Sequence, residues 1–97
     1  MSEAAFKQQV KYSIELYESL NRHFAGRVRQ MIEDYGEVAA ISRLVTSPNL
    51  QQGFKVLRDH GHLDKTFEAV GVRFKCLFRP DVIEAAQWRL DHPYDLL

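Results

Sequence analysis

At 97 residues, with 45% apolar and 27% charged side chains, the chain is a single domain (1–97) of ordinary globular composition, which excludes disordered and fibrous classes. Thirteen Lys and Arg balance thirteen Asp and Glu, and the balance holds in each half, six against six up to residue 48 and seven against seven after it. Binders of nucleic acid or of anionic membrane usually present a net basic face, so both partners are disfavoured, and the lone Cys76 excludes an internal disulfide.

No basic start followed by an apolar run marks a signal peptide, and no apolar stretch approaches the ~18–20 residues needed to span a bilayer. The expected setting is a reducing compartment, most simply the cytoplasm, with no membrane partner.

From Phe6 the apolar positions run Val10, Ile14, Tyr17, Leu20 and Phe24 in steps of three and four, which predicts a first helix over ~3–24. Gly26 interrupts it. Val28, Met31, Ile32 and Tyr35 then make a short second helix that Gly36 stops, and Val38, Ile41, Leu44 and Val45 make a third. Ser47 is suited to cap the next helix with Pro48 in its first turn, and Leu50, Phe54 and Leu57 line that fourth helix as far as Gly61. Leu63, Phe67, Val70, Phe74, Leu77 and Phe78 give the most regular stripe, predicting one continuous fifth helix with Gly71 at a close helix crossing. Pro80 ends that run. Asp81 and Glu84 have capping-box spacing before a last helix carrying Val82, Ile83, Ala86 and Leu90, which Pro93 closes. The tail from Tyr94 to Leu97 is apolar enough to dock.

No segment alternates with a period of two, so the predicted fold is all-α, a small bundle of about five to six short helices. Ala39–Leu44 and Ala85–Leu90 share the pattern Ala-Ala-x-x-Arg-Leu, a match that helices rich in alanine and leucine produce readily by chance.

His60-Gly-His62-Leu-Asp64 resembles the His-x-His-x-Asp-His zinc signature of metallo-β-lactamase-like hydrolases, but Lys65 stands where the last histidine belongs, and the chain is too short for that layered fold. The same residues read better as a junction, Gly61 capping one helix and Asp64 the next. No metal or cofactor is expected. Cys76, on a minor face of helix five with Ala69 and Val72, reads as a part-buried structural thiol. The acidic pairs Glu15/Glu18 and Glu33-Asp34 read as solvating their helices. With no phosphate loop, nucleophile elbow or di-iron motif, an enzyme is not expected.

Residues 37–58 have the lengths of a helix-turn-helix, whose recognition face would offer Gln51, Gln52 and Lys55, although the turn lacks the glycine that commonly bends such a motif. Two features depart from a plain monomer. Tyr12, Leu16 and Leu20 widen the apolar arc of helix one to roughly 200°, and Trp88 projects away from the stripe of the last helix. These residues point to a non-catalytic interaction module with a protein partner or its own copy. A small-molecule pocket between helices is the remaining alternative, beside nucleic-acid binding.

Gly53-Phe54, Leu57, Gly61, Leu63-Asp64, Thr66, Glu68, Leu77-Phe78 and Arg89-Leu90 together resemble a pattern met in short bacterial all-helical proteins with no known activity. The resemblance covers about residues 36–90 and implies a helical fold; it transfers no functional residue.

Overall fold

A computed structural model describes residues 3–48 and 51–96 as six α-helices and two 3-10 turns, with no strand among them. The helices are α1 (Glu3–Asn21), α2 (Gly26–Tyr35), α3 (Glu37–Thr46), α4 (Gln52–Asp59), α5 (Phe67–Arg73) and α6 (Pro80–Asp91), with the 3-10 turns at Leu63–Lys65 and Lys75–Leu77. The short α5 lies in the middle. It packs most extensively on α6 and also against α1 and α3, while α2 leans on α3 and α4 on α1.

The amphipathic stripes become the core. Phe6, Val10 and Ile14 of α1 meet Ile41 and Val45 of α3, Val70 of α5 and Val82 and Ala86 of α6, with Phe74 and Phe78 closing one end. Phe6 is fully buried and stands edge-on to both of these phenylalanines, with ring centroids 5.4 and 5.8 Å apart, the arrangement that ring quadrupoles favour.

The predicted fifth helix is broken into three pieces, and Thr66 causes the first break. Its extended backbone (φ −70°, ψ 159°) lets the hydroxyl donate to the Leu63 carbonyl at 2.7 Å and accept the Ala69 N–H at 3.2 Å, which ends one turn and caps α5. Thr66 therefore holds the role expected of Asp64, whose side chain pairs with Lys65 instead. The second break follows Arg73, where Phe74 leaves helical geometry before the 3-10 turn at Lys75–Leu77. Cys76 sits in that turn and is exposed, not part-buried.

Other boundaries move for similarly local reasons. Helix α1 ends at Asn21, Arg22 takes a left-handed conformation (φ 57°), and Phe24 lies outside the helix at 75% exposure instead of on its buried stripe. Pro80 opens α6 rather than closing the run before it; the N-cap is Arg79, and Asp81 pairs with Arg79 in place of a capping box with Glu84. Gln51, not Ser47, precedes α4, and the expected positions of Asn49 and Leu50 lie outside the described residues. Gly61 does end α4 as its type suggests. With φ +79° it passes its N–H to Arg58 O (3.0 Å) while His62 N–H reaches Leu57 O (2.8 Å), the paired bonds of a Schellman cap.

Gly71 is buried between Phe78 and Ile83, but a Cβ built there meets them only at 3.9 and 4.0 Å, an ordinary contact and not the close crossing expected. Gly71→Ala should therefore stabilise the fold by about 0.5–1 kcal/mol through helix propensity, read as a raised urea midpoint with unchanged slope. A lowered midpoint would mean that α5 and α6 cannot accommodate even a methyl group.

Candidate functional site

A charged pair stands inside the apolar frame. Glu68, in the first turn of α5, and Arg89, near the end of α6, are joined by a 2.7 Å bond from Nη1 to Oε2, with side chains only 5% and 7% exposed. Arg89 also donates to two carbonyls at the end of α3, from Nη1 to Leu44 O at 3.1 Å and from Nη2 to Ser47 O at 2.8 Å. Leu44 O is one of the last-turn carbonyls that a helix leaves without an internal partner, so the guanidinium caps α3 as it neutralises Glu68. Burial holds the Glu68 carboxyl above its ordinary range, and the hydrogen bond from Arg89 opposes that rise only in part.

Glu68 also lines a cavity of about 280 Å³. Ser13, Ile14 and Tyr17 of α1 form one wall, Phe54 and Leu57 of α4 another, and Leu44 and Phe67 close it from α3 and α5. The lining is mainly apolar. Ser13 and Glu68 are polar residues within it, and both are buried.

The turn between α1 and α2 forms the rim, with Phe24, Ala25 and Val28 facing the space. Glu18 holds this turn in place. Its carboxylate accepts the Ala25 N–H at 2.7 Å and takes Arg29 in a two-point grip, Nε at 2.8 Å and Nη2 at 2.6 Å. The Arg29 hydrogen bonds hold the Glu18 carboxyl below the usual carboxylate range. Its expected role as a solvating surface charge is thus replaced by a structural one. Arg29 in turn lies over the exposed Phe24 ring, 5.0 Å from its centroid.

The residues singled out from the sequence are dispersed. Leu16 and Leu20 are half-buried on α1, whose wide arc is shared between α4 on one side and α5 with its preceding turn on the other. Tyr12 is 54% exposed and has Lys65 over its ring. Trp88 is 47% exposed on α6 and stacks on His92, with centroids 4.6 Å apart.

The residues offered for helix-turn-helix recognition differ in exposure, and the two helices of that reading lie apart. Helices α3 and α4 scarcely touch each other, and Gln51 is buried, with no hydrogen-bond partner for its Oε1 among the described residues. Gln52 is exposed at the cavity mouth, and Lys55 is half-buried. At the other motif, the His60 ring nitrogen Nδ1 meets Val56 O at 2.8 Å. No cluster of three His, Cys, Asp or Glu capable of holding a metal occurs among the described residues.

Sequence reasoning passed over Ser13 and gave Glu68 and Arg89 no role beyond the resemblance that includes them. Two of them left a signal, because Ser13 follows Val10 by three and Arg89 follows Ala86 by three, so each is a polar residue on an otherwise apolar stripe. The short Ala-Ala-x-x-Arg-Leu match is no guide, since Arg43 is exposed over Tyr35 whereas Arg89 is buried.

No family model matches the chain, and neither the curated proteins nor the solved structures yield a significant match.

Removing one partner of a buried ion pair leaves the other charge uncompensated, so Arg89→Leu should destabilise the protein by about 3–5 kcal/mol in chemical unfolding. The double variant Glu68→Leu/Arg89→Met should recover part of that loss, with a remainder from the unmet Leu44 carbonyl. Equal stability of Arg89→Leu and wild type would show that the pair contributes nothing.

Proposed function

We propose that this protein is a non-catalytic binding module for a small, mainly apolar molecule held in the cavity between α1, α3, α4 and α5. The observation that carries the proposal is a mainly apolar space of about 280 Å³ with buried Glu68 and Ser13 among its lining residues. The space opens to solvent beside Phe24, Arg27 and Gln52, and an engineered apolar cavity of about 150 Å³ suffices to bind benzene. The present volume suits one ring with a substituent, or two fused rings. Glu68 is already committed to Arg89, which fits a recognition group better than a proton-transfer one.

Gly53 supplies the test. It lines the cavity, its φ is not in the left-handed region, and a Cβ there meets only Tyr17 at 3.9 Å, so Gly53→Leu can fill the space without straining the backbone. Toluene, indole and benzofuran titrated into the wild type should shift the methyl resonances of Ile14, Leu44 and Leu57. A ligand at a hundred times its Kd should add about 2.7 kcal/mol of stability. Gly53→Leu should remain folded and lose both responses. If none of the three compounds moves those methyl signals, the cavity is not a ligand site.

Self-association is the second function that an observation favours, namely the large exposed indole of Trp88 with His92 as its stacking neighbour. The Tyr12–Leu16–Leu20 row supports it less, because two of its three members are already half-covered by the chain's own helices. Light scattering should find a mass that rises with concentration and returns to that of one chain in Trp88→Ala. A constant monomer mass up to millimolar concentration would overturn it.

A further inference from the structure

The class of ligand assigned below rests on the cavity being a ligand site, and it follows from the unequal chemistry of floor and mouth. Ile14, Leu44, Phe54 and Leu57 make a buried, apolar floor, whereas the exposed side chains that line the space, Phe24, Arg27 and Gln52, stand where it opens to solvent. We infer that the molecule bound there is an amphipathic monoanion, its apolar body in the cavity and its carboxylate or comparable acidic head held at the mouth by Arg27.

Only two of the lining residues are charged, Arg27 and Glu68. Arg89 balances Glu68 at 2.7 Å, so the wall as a whole keeps one unmatched charge, and that charge is positive and at the mouth. The guanidinium groups of Arg29, Arg43, Arg58, Arg73 and Arg79 are likewise engaged, each by a carboxylate, an amide oxygen or an aromatic ring. Among the described residues only those of Arg22 and Arg27 have no partner, and Arg27 is the one that lines the cavity. A guanidinium offers a planar fork of N–H donors that matches a carboxylate, and it has no acceptor, so an anionic head is taken and a cationic one repelled. The exposed Gln52 amide at the same opening adds a further N–H donor. A head held there keeps part of its water, which avoids the cost of burying a charge against the apolar floor. The volume of about 280 Å³ lies just below the range of drug-sized ligands, so the class is small: arylacetates and short alkyl carboxylates.

Phenylacetate and phenylacetamide provide the comparison, being alike in shape and differing in charge. Calorimetric titration of the full chain at low salt should give a Kd for phenylacetate at least ~5-fold lower than for phenylacetamide, the upper range of an exposed ion pair. Sodium chloride at about 0.5 M should reduce that preference to about twofold or less, because exposed charges are screened. Arg27 is exposed and its side chain holds no other group, so its replacement leaves the fold intact. Arg27→Gln should abolish the preference while toluene binds as it does to the wild type, and Arg27→Glu should transfer it to phenethylamine, a cation of similar length. Equal binding of phenylacetate and phenylacetamide, with toluene still bound, overturns the anion assignment and leaves the cavity a ligand site. A preference that persists in Arg27→Gln, or tighter binding of phenethylamine than of phenylacetate by the wild type, overturns it as well. Failure of every compound to bind, toluene included, removes the ligand site itself and this assignment with it.

Discussion

The contact on which the rest of the structure depends is the buried fork of Arg89. One planar guanidinium reaches the Glu68 carboxylate and the carbonyls of Leu44 and Ser47, and so joins α6 to the start of α5 and to the end of α3. Withdrawing two charges from water costs several kcal/mol for each ion, and only close geometry with additional hydrogen bonds offsets that loss. The arrangement here supplies both, with a 2.7 Å ionic contact and two carbonyl acceptors. A lysine in this position has a single nitrogen and cannot replace the fork. Because the three partners come together only when α3, α5 and α6 are in this register, the pair penalises alternative packings of helices that are otherwise plain apolar surfaces.

One member of the pair, Glu68, also lines the cavity. Apart from the 19-residue α1, the helices have seven to twelve residues and carry little side-chain surface each, and four elements and a turn converge where α1, α3, α4 and α5 meet. The space left there is apolar because the facing positions belong to amphipathic stripes, and polar at one wall because Glu68 shares the first turn of α5 with Phe67. The Glu18 clasp acts at the opposite side, fixing the α1–α2 turn that forms the rim. Four exposed aromatic rings each lie beneath a cation: Phe24, at the cavity rim, under Arg29, and, away from it, Tyr35 under Arg43, Tyr94 under Arg58 and Tyr12 under Lys65. Their exposed faces are therefore partly polar in character, which weakens each of them as a bare apolar docking surface.

Much of the architecture was legible in residue spacing. The steps of three and four in Phe6–Val10–Ile14 and Val38–Ile41–Leu44–Val45 yielded helices with the expected faces inward, and Gly36 and Gly61 ended helices with positive φ. Breaks inside a stripe were not legible. A 3-10 turn advances by three residues and an α-helix by 3.6, so Leu63, Phe67, Val70, Phe74 and Leu77 keep nearly one period across two interruptions. Thr66 carried the local chemistry for the first break, and the stripe overrode it in the reading. The site was legible only in part: Ser13 and Arg89 are polar members of apolar stripes, whereas Glu68 has no such mark.

What the sequence determined by itself is the helical class, the apolar face of each helix and several of its ends, because periodicity and capping are interactions among residues near in the chain. The partnership of Glu68 with Arg89, the clasp of Glu18 on Arg29 and the cavity were decided only by tertiary structure. They depend on which helix faces lie opposite one another, over separations of 21 and 11 residues for the two ion pairs. A void has no residue of its own to announce it, since it is the volume that neighbouring side chains fail to fill.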